Sequence, residues 1–145
     1  MKKKMNIGKR LRTLRLHRNL TQKALGILLG YNNSPEIRVA QYELGQRSPR
    51  TDAVAKMSDV LNVAPEAINI PKINSTTELM HLLFGLEEFF NLKVDSLNGK
   101  MCFSFKNKEL KPLLNEWLNK YIDYKNGNIS EYEYKEWQYQ YSGKK

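Results

Sequence analysis

The side chains best suited to specific chemistry lie in residues 34–44, where groups that bind nucleobase edges follow one another at helical spacing. Arg38 can bind guanine and Gln41 can bind adenine, each through two hydrogen bonds. Ile37 can pack against a thymine methyl group. Glu36 either accepts a hydrogen bond from cytosine N4 or only interacts with the positive end of its helix, and we favour the second role. The alternative for Arg38 and Gln41 is an ordinary solvated helix face.

The charge of the chain is unevenly distributed. The net charge is +9, and residues 1–70 contain 13 Lys and Arg against 5 Asp and Glu, whereas residues 71–145 contain 11 against 10. A basic surface confined to one half favours a polyanionic partner, first a nucleic acid and second an acidic membrane surface. A surface that served only solubility would not need this asymmetry.

Several classes of function find no support in the sequence. It contains no P-loop, no Ser/His/Asp or Cys/His arrangement and no metal-ligand spacing, so we expect no enzyme, no cofactor and no metal site. The single cysteine, Cys102, excludes an internal disulfide and suits a reducing cytoplasm. The Lys2–Lys4 start lacks the apolar segment of a signal peptide, and no apolar run approaches the roughly 20 residues that span a bilayer. We therefore expect a cytoplasmic protein without a membrane partner.

The first half of the chain is predicted to be a compact all-α domain, residues 1–70. Its pattern predicts five short helices, over residues 6–18, 21–29, 34–44, 52–61 and 65–68. The Thr21 hydroxyl is placed to cap the second helix, and Ser34, followed by Pro35, is placed to cap the third. His17 is expected on the surface. Residues 71–75 are predicted to be a linker.

The second half, residues 76–145, is predicted to be a small α+β domain. The pattern predicts a helix, a β-hairpin and two further helices, over residues 76–90, 92–97 with 100–105, 108–125 and 130–141. Asn98-Gly99 suits the type I′ turn of a hairpin, and Ser130 with Glu133 forms a capping box. The aromatic stripe of Trp117, Tyr121 and Tyr124 is interpreted as core or a dimer interface rather than a ligand cage.

A series of short motifs occurs in order along residues 7–68. The motifs are Ile7-Gly8, Leu14-Arg15, Leu20-Thr21-Gln22, Leu25-Gly26, Leu28 with Gly30, Gln41-Tyr42-Glu43, Gly45, Arg47, Pro49 and Leu61-x-Val63. With these motifs, the segment resembles the lambda/434-repressor-like helix-turn-helix domains of the Xre group. The resemblance implies a five-helix domain that binds double-stranded DNA by placing its third helix in the major groove.

The resemblance also implies roles for particular residues. Arg15 and Glu43 are expected to form an ion pair that holds the third helix against the first. The start of the second helix offers N–H groups and a positive dipole end to a phosphate. The residues expected to contact phosphates or the minor groove are Thr21, Gln22, Lys23, Ser34, Gln46, Arg47, Ser48 and Arg50, together with main-chain N–H groups of residues 45–48.

Two features depart from the pattern of the family. Gly30 and Glu43 are thirteen residues apart, which is more than in most relatives, and we place the extra residues in the turn over 31–34. With Glu43 on the buried side of the third helix, Val39 and Tyr42 also face inward, and the residues able to contact bases face outward. Gly26 stands where the family usually has alanine, and we expect that a small side chain would still fit there.

Together these features predict a sequence-specific, homodimeric transcriptional regulator that acts as a repressor, with dimerisation in residues 76–145. The ending from Lys125 to Trp137 resembles the tails of a group of Xre regulators, but this likeness assigns no ligand. A small-molecule or protein effector is therefore left open. The alternative function is a protein–protein interaction module, such as an antitoxin or anti-regulator, whose C-terminal half binds a partner.

Overall fold

A computed structural model of the protein describes residues 5–143. This part of the chain forms α1 (Ile7–His17), α2 (Gln22–Leu28), α3 (Pro35–Glu43), α4 (Thr51–Leu61), α5 (Pro65–Ile68), α6 (Thr76–Phe90), β1 (Leu92–Leu97), β2 (Lys100–Phe105), α7 (Leu110–Lys125) and α8 (Glu131–Gln140). The predicted fold class is confirmed, because a helical N-terminal region precedes an antiparallel hairpin and two helices. The chain packs as two compact units: the N-terminal unit (residues 5–74 with 135–143) and the C-terminal unit (residues 75–134).

The N-terminal unit is built around an apolar core to which each of the helices α1 to α5 contributes side chains. The side chains with almost no exposed surface are Leu11, Leu14, Leu25, Val39, Met57, Leu61 and Ile68. Two side chains cap the N-termini of helices in this unit. Asn6 accepts a hydrogen bond from the Lys9 N–H of α1 at 2.9 Å, and Thr21 accepts one from the Ala24 N–H of α2 at 3.0 Å. The predicted cap at Thr21 is therefore confirmed.

The start of α3 differs from the prediction. Ser34 has a left-handed backbone conformation, with φ 46° and ψ 57°, and its side chain makes no capping hydrogen bond. A hydroxyl cap requires an extended backbone at the capping residue, so the prediction that the Ser34 hydroxyl caps α3 was wrong. The Ser34 carbonyl instead accepts hydrogen bonds from the N–H groups of Ile37 and Arg38, at 3.1 and 3.3 Å. Pro35 occupies the first turn, where a missing N–H costs nothing.

Two glycines allow α3 to contact its neighbours through the backbone. A Cβ added at Gly8 would lie 2.3 Å from the Tyr42 carbonyl oxygen, at the end of α3. A Cβ added at Gly26 would lie 2.5 Å from the Pro35 carbonyl oxygen, at its beginning. The expectation that a small side chain would fit at Gly26 was therefore wrong, because the space is already filled by backbone.

Residues 135–143 pack with the N-terminal unit, whereas the sequence placed them in a domain of residues 76–145. The Tyr139 ring is buried in the core cluster, and its carbonyl accepts a hydrogen bond from the Ala64 N–H at 2.9 Å. Glu136 accepts hydrogen bonds from both terminal nitrogens of Arg18, each at 2.8 Å. His17 Nε2 lies 2.9 Å from Glu136, and the His17 side chain, expected on the surface, is only 11% exposed.

The charge of Glu136 is stabilised by these contacts. Burial acts to raise the pKa of the Glu136 carboxyl, but the hydrogen bonds from Arg18 and His17 outweigh burial and lower the pKa. The carboxylate therefore remains charged at neutral pH and holds the second half of α8 against α1.

The C-terminal unit consists of α6, the hairpin, α7 and the first turn of α8. In the hairpin Leu92 pairs with Phe105, and Asn98 and Gly99 both have positive φ, as the predicted type I′ turn requires. The predicted capping box is also present, because Ser130 and Glu133 exchange hydrogen bonds. Within residues 75–134 only Leu92 and Tyr134 are buried, so this unit leaves most of its apolar side chains exposed.

The aromatic stripe of α7 packs against the start of α8. Trp117 Nε1 donates a hydrogen bond to the Tyr134 hydroxyl at 2.7 Å. The Tyr124 ring is stacked on the Tyr134 ring with centroids 5.2 Å apart, while Tyr121 meets the same ring edge-on. The stripe therefore holds the first turn of α8 to α7.

Candidate nucleic-acid interface

Helix α3 has one buried side and one side that is open to solvent. Val39, Tyr42 and Glu43 are buried, as predicted from the position of Glu43. At about 100° per residue, Ile37 lies directly opposite this buried side, and its side chain is exposed. Arg38 and Gln41 lie beside Ile37 on one flank and are half-buried, while Glu36 lies on the other flank and is exposed. Three of the four predicted base contacts, Ile37, Arg38 and Gln41, therefore share one outward-facing surface, whereas Glu36 lies on the opposite flank from Arg38.

A buried ion pair fixes the position of α3. Arg15 donates from Nε to Glu43 Oε1 at 2.6 Å and from Nη2 to Oε2 at 3.1 Å, and the two side chains are only 7% and 2% exposed. Arg15 Nη1 also donates to the Leu20 carbonyl at 2.6 Å. Two parallel hydrogen bonds between a guanidinium and a carboxylate constrain both groups in angle as well as distance. The pair therefore fixes the orientation of α3 relative to α1.

Gln22, expected to bind a phosphate, is part of this same network. Its Nε2 donates to Glu43 Oε2 at 2.9 Å, so the side chain joins the start of α2 to the end of α3. An amide group has a second N–H, and any phosphate contact by Gln22 has to use it. Thr21 and Lys23, on either side, are exposed at the same helix end.

In the turn after α3, main-chain N–H groups that were expected to contact phosphate donate hydrogen bonds within the protein. The N–H groups of Gln46 and Arg47 donate to the Gln41 carbonyl at 2.9 and 3.2 Å, and Gly45 N–H donates to Tyr42 at 3.1 Å. The expectation that these three N–H groups face a phosphate was wrong, because they terminate the helix. The residues here that remain exposed are Gln46, Arg47, Ser48 and Arg50, as is Ser34 at the other end of α3.

Sequence reasoning missed Tyr31, which lies in the extended turn before α3. The Arg38 guanidinium carbon lies 5.0 Å from the centre of the Tyr31 ring. Burial raises the pKa of the Tyr31 phenol to about 12, with a further contribution from its hydrogen bond to Tyr42, while Arg38 and Arg47 act in the opposite direction. The phenol is therefore neutral at physiological pH and lies close to two cations. An aromatic residue in an unusually long turn was the only signal in the sequence.

The described residues meet neither the requirements of a metal-binding cluster nor those of a membrane-spanning helix. Between residues 5 and 143, no group of three or more His, Cys, Asp and Glu side chains is arranged to hold a metal ion. In the same range no helix is both long enough and apolar enough to cross a membrane. The Lys2–Lys4 segment lies outside the described residues.

Comparison with known proteins gives a match for the part of the chain that contains this surface. Residues 6–69 match a family model described as a helix-turn-helix domain. No curated protein sequence and no solved structure matches the chain significantly. The matched range covers α1 to α5, which include the paired α2 and α3 and the outward-facing surface of α3. The N-terminal unit is thus similar to helix-turn-helix domains, and this similarity indicates a regulator that binds DNA.

Proposed function

We propose that the protein is a sequence-specific transcriptional regulator of the Xre type, which places α3 in the major groove of double-stranded DNA and represses transcription. The observation that carries the proposal is the outward-facing surface of α3, where Ile37, Arg38 and Gln41 lie together on a helix held in place by a buried ion pair. Rigid support matters because base recognition requires hydrogen-bonding groups held in a fixed geometry. In this proposal the protein binds DNA without catalysing a reaction.

The surroundings of α3 support binding to the DNA backbone. Exposed polar and basic side chains lie at the start of α2 and in the turn after α3, and these comprise Thr21, Lys23, Gln46, Arg47, Ser48 and Arg50. Contacts of this kind set the register of a protein on the duplex and carry little sequence information. Outside residues 75–134 the chain has 17 Lys and Arg against 6 Asp and Glu, which favours a polyanion.

Replacing Gln41 with alanine is expected to relax the base preference at one position of the binding site. A two-point contact to adenine contributes about 1–3 kcal/mol of discrimination, so the preference there should fall by about 5- to 160-fold. The measurement is in vitro selection of DNA with the full-length protein. Arg47→Ala is the matched control, because a lost phosphate contact should weaken binding to all sequences without changing their order. An unchanged ranking in the Gln41 variant would show that this residue does not read a base.

We also propose that two copies bind together, through the C-terminal units. A groove between α6 and the hairpin is lined by apolar side chains, including Met80, Phe84, Val94, Met101 and Phe103. Residues 75–134 contain seven Lys and Arg against nine Asp and Glu, so this unit can approach a second copy without the repulsion expected between the basic N-terminal units. Two copies would then read half-sites about one helical turn apart.

A single substitution in the hairpin tests the dimer. Met101 and Leu97 are similarly exposed, 73% and 66%, but the register places them on opposite faces of the hairpin. Met101→Lys is expected to convert the dimer to a monomer in sedimentation velocity experiments, because a charge would be buried in the interface. Leu97→Lys is expected to leave the dimer intact. Equal sedimentation of both variants and the wild-type protein would exclude the groove as the interface.

The exposed apolar side chains of the C-terminal unit also support the second candidate, a protein–protein interaction module such as an antitoxin or anti-regulator. Patches of this kind mark interaction surfaces on proteins that are otherwise soluble. This candidate predicts a wild-type protein that is monomeric and enriches no DNA sequence in the selection experiment. A palindromic selected site would exclude it, since a palindrome requires both sequence preference and two symmetric copies.

A further inference from the structure

The extended turn between α2 and α3 places an aromatic ring against a predicted base contact. The Arg38 guanidinium carbon lies 5.0 Å from the centre of the Tyr31 ring, within the range of about 6 Å in which a cation is attracted to an aromatic face. Arg38 is half-buried rather than fully solvated, although it lies on the outward side of α3. The ring therefore restricts the positions that this long side chain can adopt.

Tyr31 is itself held through both its main chain and its side chain. Its main-chain N–H donates to the Gly26 carbonyl at 2.9 Å, at the end of α2. Its phenol is hydrogen-bonded to Tyr42, which is buried on the inward side of α3, and its ring packs on the core cluster. A ring held by both helices provides a rigid surface for Arg38, whereas a flexible neighbour would not.

Fixing an arginine before it binds has a predictable consequence. A free arginine side chain loses rotamer freedom when it makes a two-point contact, and a side chain that is already restricted loses less. This reduction in the entropy lost on binding favours most the base that accepts both hydrogen bonds in the fixed geometry. It therefore increases the difference in affinity between bases, and not only the overall affinity.

We infer that Tyr31 is a positioning residue that holds Arg38 for recognition of a guanine, so that the extended turn contributes to sequence specificity. This inference rests on the proposed function. Tyr31 does not touch DNA in this role and acts through Arg38. The residues that lengthen the turn thereby acquire a function, since they bring the ring over the helix.

In vitro selection with full-length variants tests this role. Arg38→Ala is expected to remove a guanine preference at one position of the selected site. Tyr31→Leu, which removes the aromatic face, is expected to lower the preference at that same position about two- to fivefold, in keeping with the strength of an exposed cation–π contact. Tyr31→Phe retains the face and is expected to keep most of the preference. Preferences at the position assigned to Gln41 serve as the internal control.

The double variant separates positioning from a general structural effect. On the Arg38→Ala background, Tyr31→Leu is expected to cause no further change at the guanine position, because its target is already absent. Weaker binding of Tyr31→Leu to all sequences, with preferences unchanged, would overturn the inference and leave the proposed function standing. A wild-type protein that enriches no sequence would overturn both.

A measurement on the wild-type protein keeps the inference testable if Tyr31→Leu does not fold. The side-chain protons of Arg38 lie near the face of an aromatic ring, so their nuclear magnetic resonance signals are expected upfield of the values in the unfolded chain. Signals at the unfolded values would show that Arg38 does not rest on Tyr31 in solution, and would overturn the inference.

Discussion

Replacing Glu43 with alanine is expected to lower the free energy of unfolding of the N-terminal unit by about 3–5 kcal/mol. The reason is the guanidinium group of Arg15, which is only 7% exposed and would lose both hydrogen bonds to the carboxylate. The Leu20 carbonyl would remain as a partner, but it carries no full charge. Gln22 would lose its acceptor as well, so the hydrogen bonds from the Glu43 side chain to both preceding helices would be lost. Urea unfolding followed by far-UV circular dichroism measures the change.

Glu36→Ala is the matched control for this substitution. Glu36 lies in the first turn of the same helix and is exposed, and a carboxylate at a helix start contributes only about 0.3–1 kcal/mol. The double variant Arg15→Met with Glu43→Leu is expected to be more stable than Glu43→Ala alone, because it leaves no buried charge without a partner. A free energy of unfolding of Glu43→Ala within about 1 kcal/mol of the wild-type value would show that water reaches the Arg15 guanidinium. The ion pair would then not be needed to hold α3 in place.

The same substitution should affect DNA binding in a distinct manner. Glu43 faces away from the outward surface of α3, so it contacts no base in the proposed arrangement. Loss of the pair would loosen α3 as a whole, and binding to preferred and non-preferred sequences should weaken together. This differs from Gln41→Ala, which should change the order of preference. The two variants therefore distinguish residues that hold α3 in position from residues of α3 that recognise bases.

Local patterns were sufficient to predict most of the elements and one side of α3. The 3.6-residue period of a helix determines which way all the remaining side chains face once one buried position is known. In α3, Glu43 supplied that position. Asn98-Gly99 and Ser130 with Glu133 are equally local, since each defines its turn or cap through neighbours within four residues. Predictions of this kind depend on no distant contact.

Local patterns alone could not predict contacts between distant parts of the chain, and the Arg15–Glu43 pair was expected only from the family resemblance. Tyr139 fills the core of the N-terminal unit, and Glu136 binds Arg18, a residue 118 positions earlier. A tyrosine in an aromatic-rich helix has the same local pattern whether it packs against α1 or α7, so the sequence does not distinguish the two. Tyr31 was missed for a related reason, because its partners Arg38 and Tyr42 are brought to it by the path of an irregular turn.

Replacing Gly26 with alanine is expected to destabilise the N-terminal unit by about 1–3 kcal/mol or more, although alanine is the better helix former by about 1 kcal/mol. The added Cβ would lie 2.5 Å from the Pro35 carbonyl oxygen and 2.6 Å from the Pro35 Cβ, so α2 and α3 would have to separate. Gly85→Ala in α6 is the matched control, since nothing lies within 4 Å of a Cβ there and the substitution should stabilise the C-terminal unit. Thermal unfolding and hydrogen exchange of each unit measure both effects.

Adding Pro35→Ala to Gly26→Ala is not expected to restore stability. The second substitution removes only Cγ and Cδ of the proline ring, whereas the carbonyl oxygen and the Cβ that meet the new Cβ stay in place. DNA binding by Gly26→Ala should weaken for all sequences, because displacement at Pro35 moves the whole start of α3, including Ile37 and Arg38. A Gly26→Ala protein as stable as the wild-type protein would show that the two helices part easily. The orientation of α3 would then depend on the Arg15–Glu43 pair at its other end.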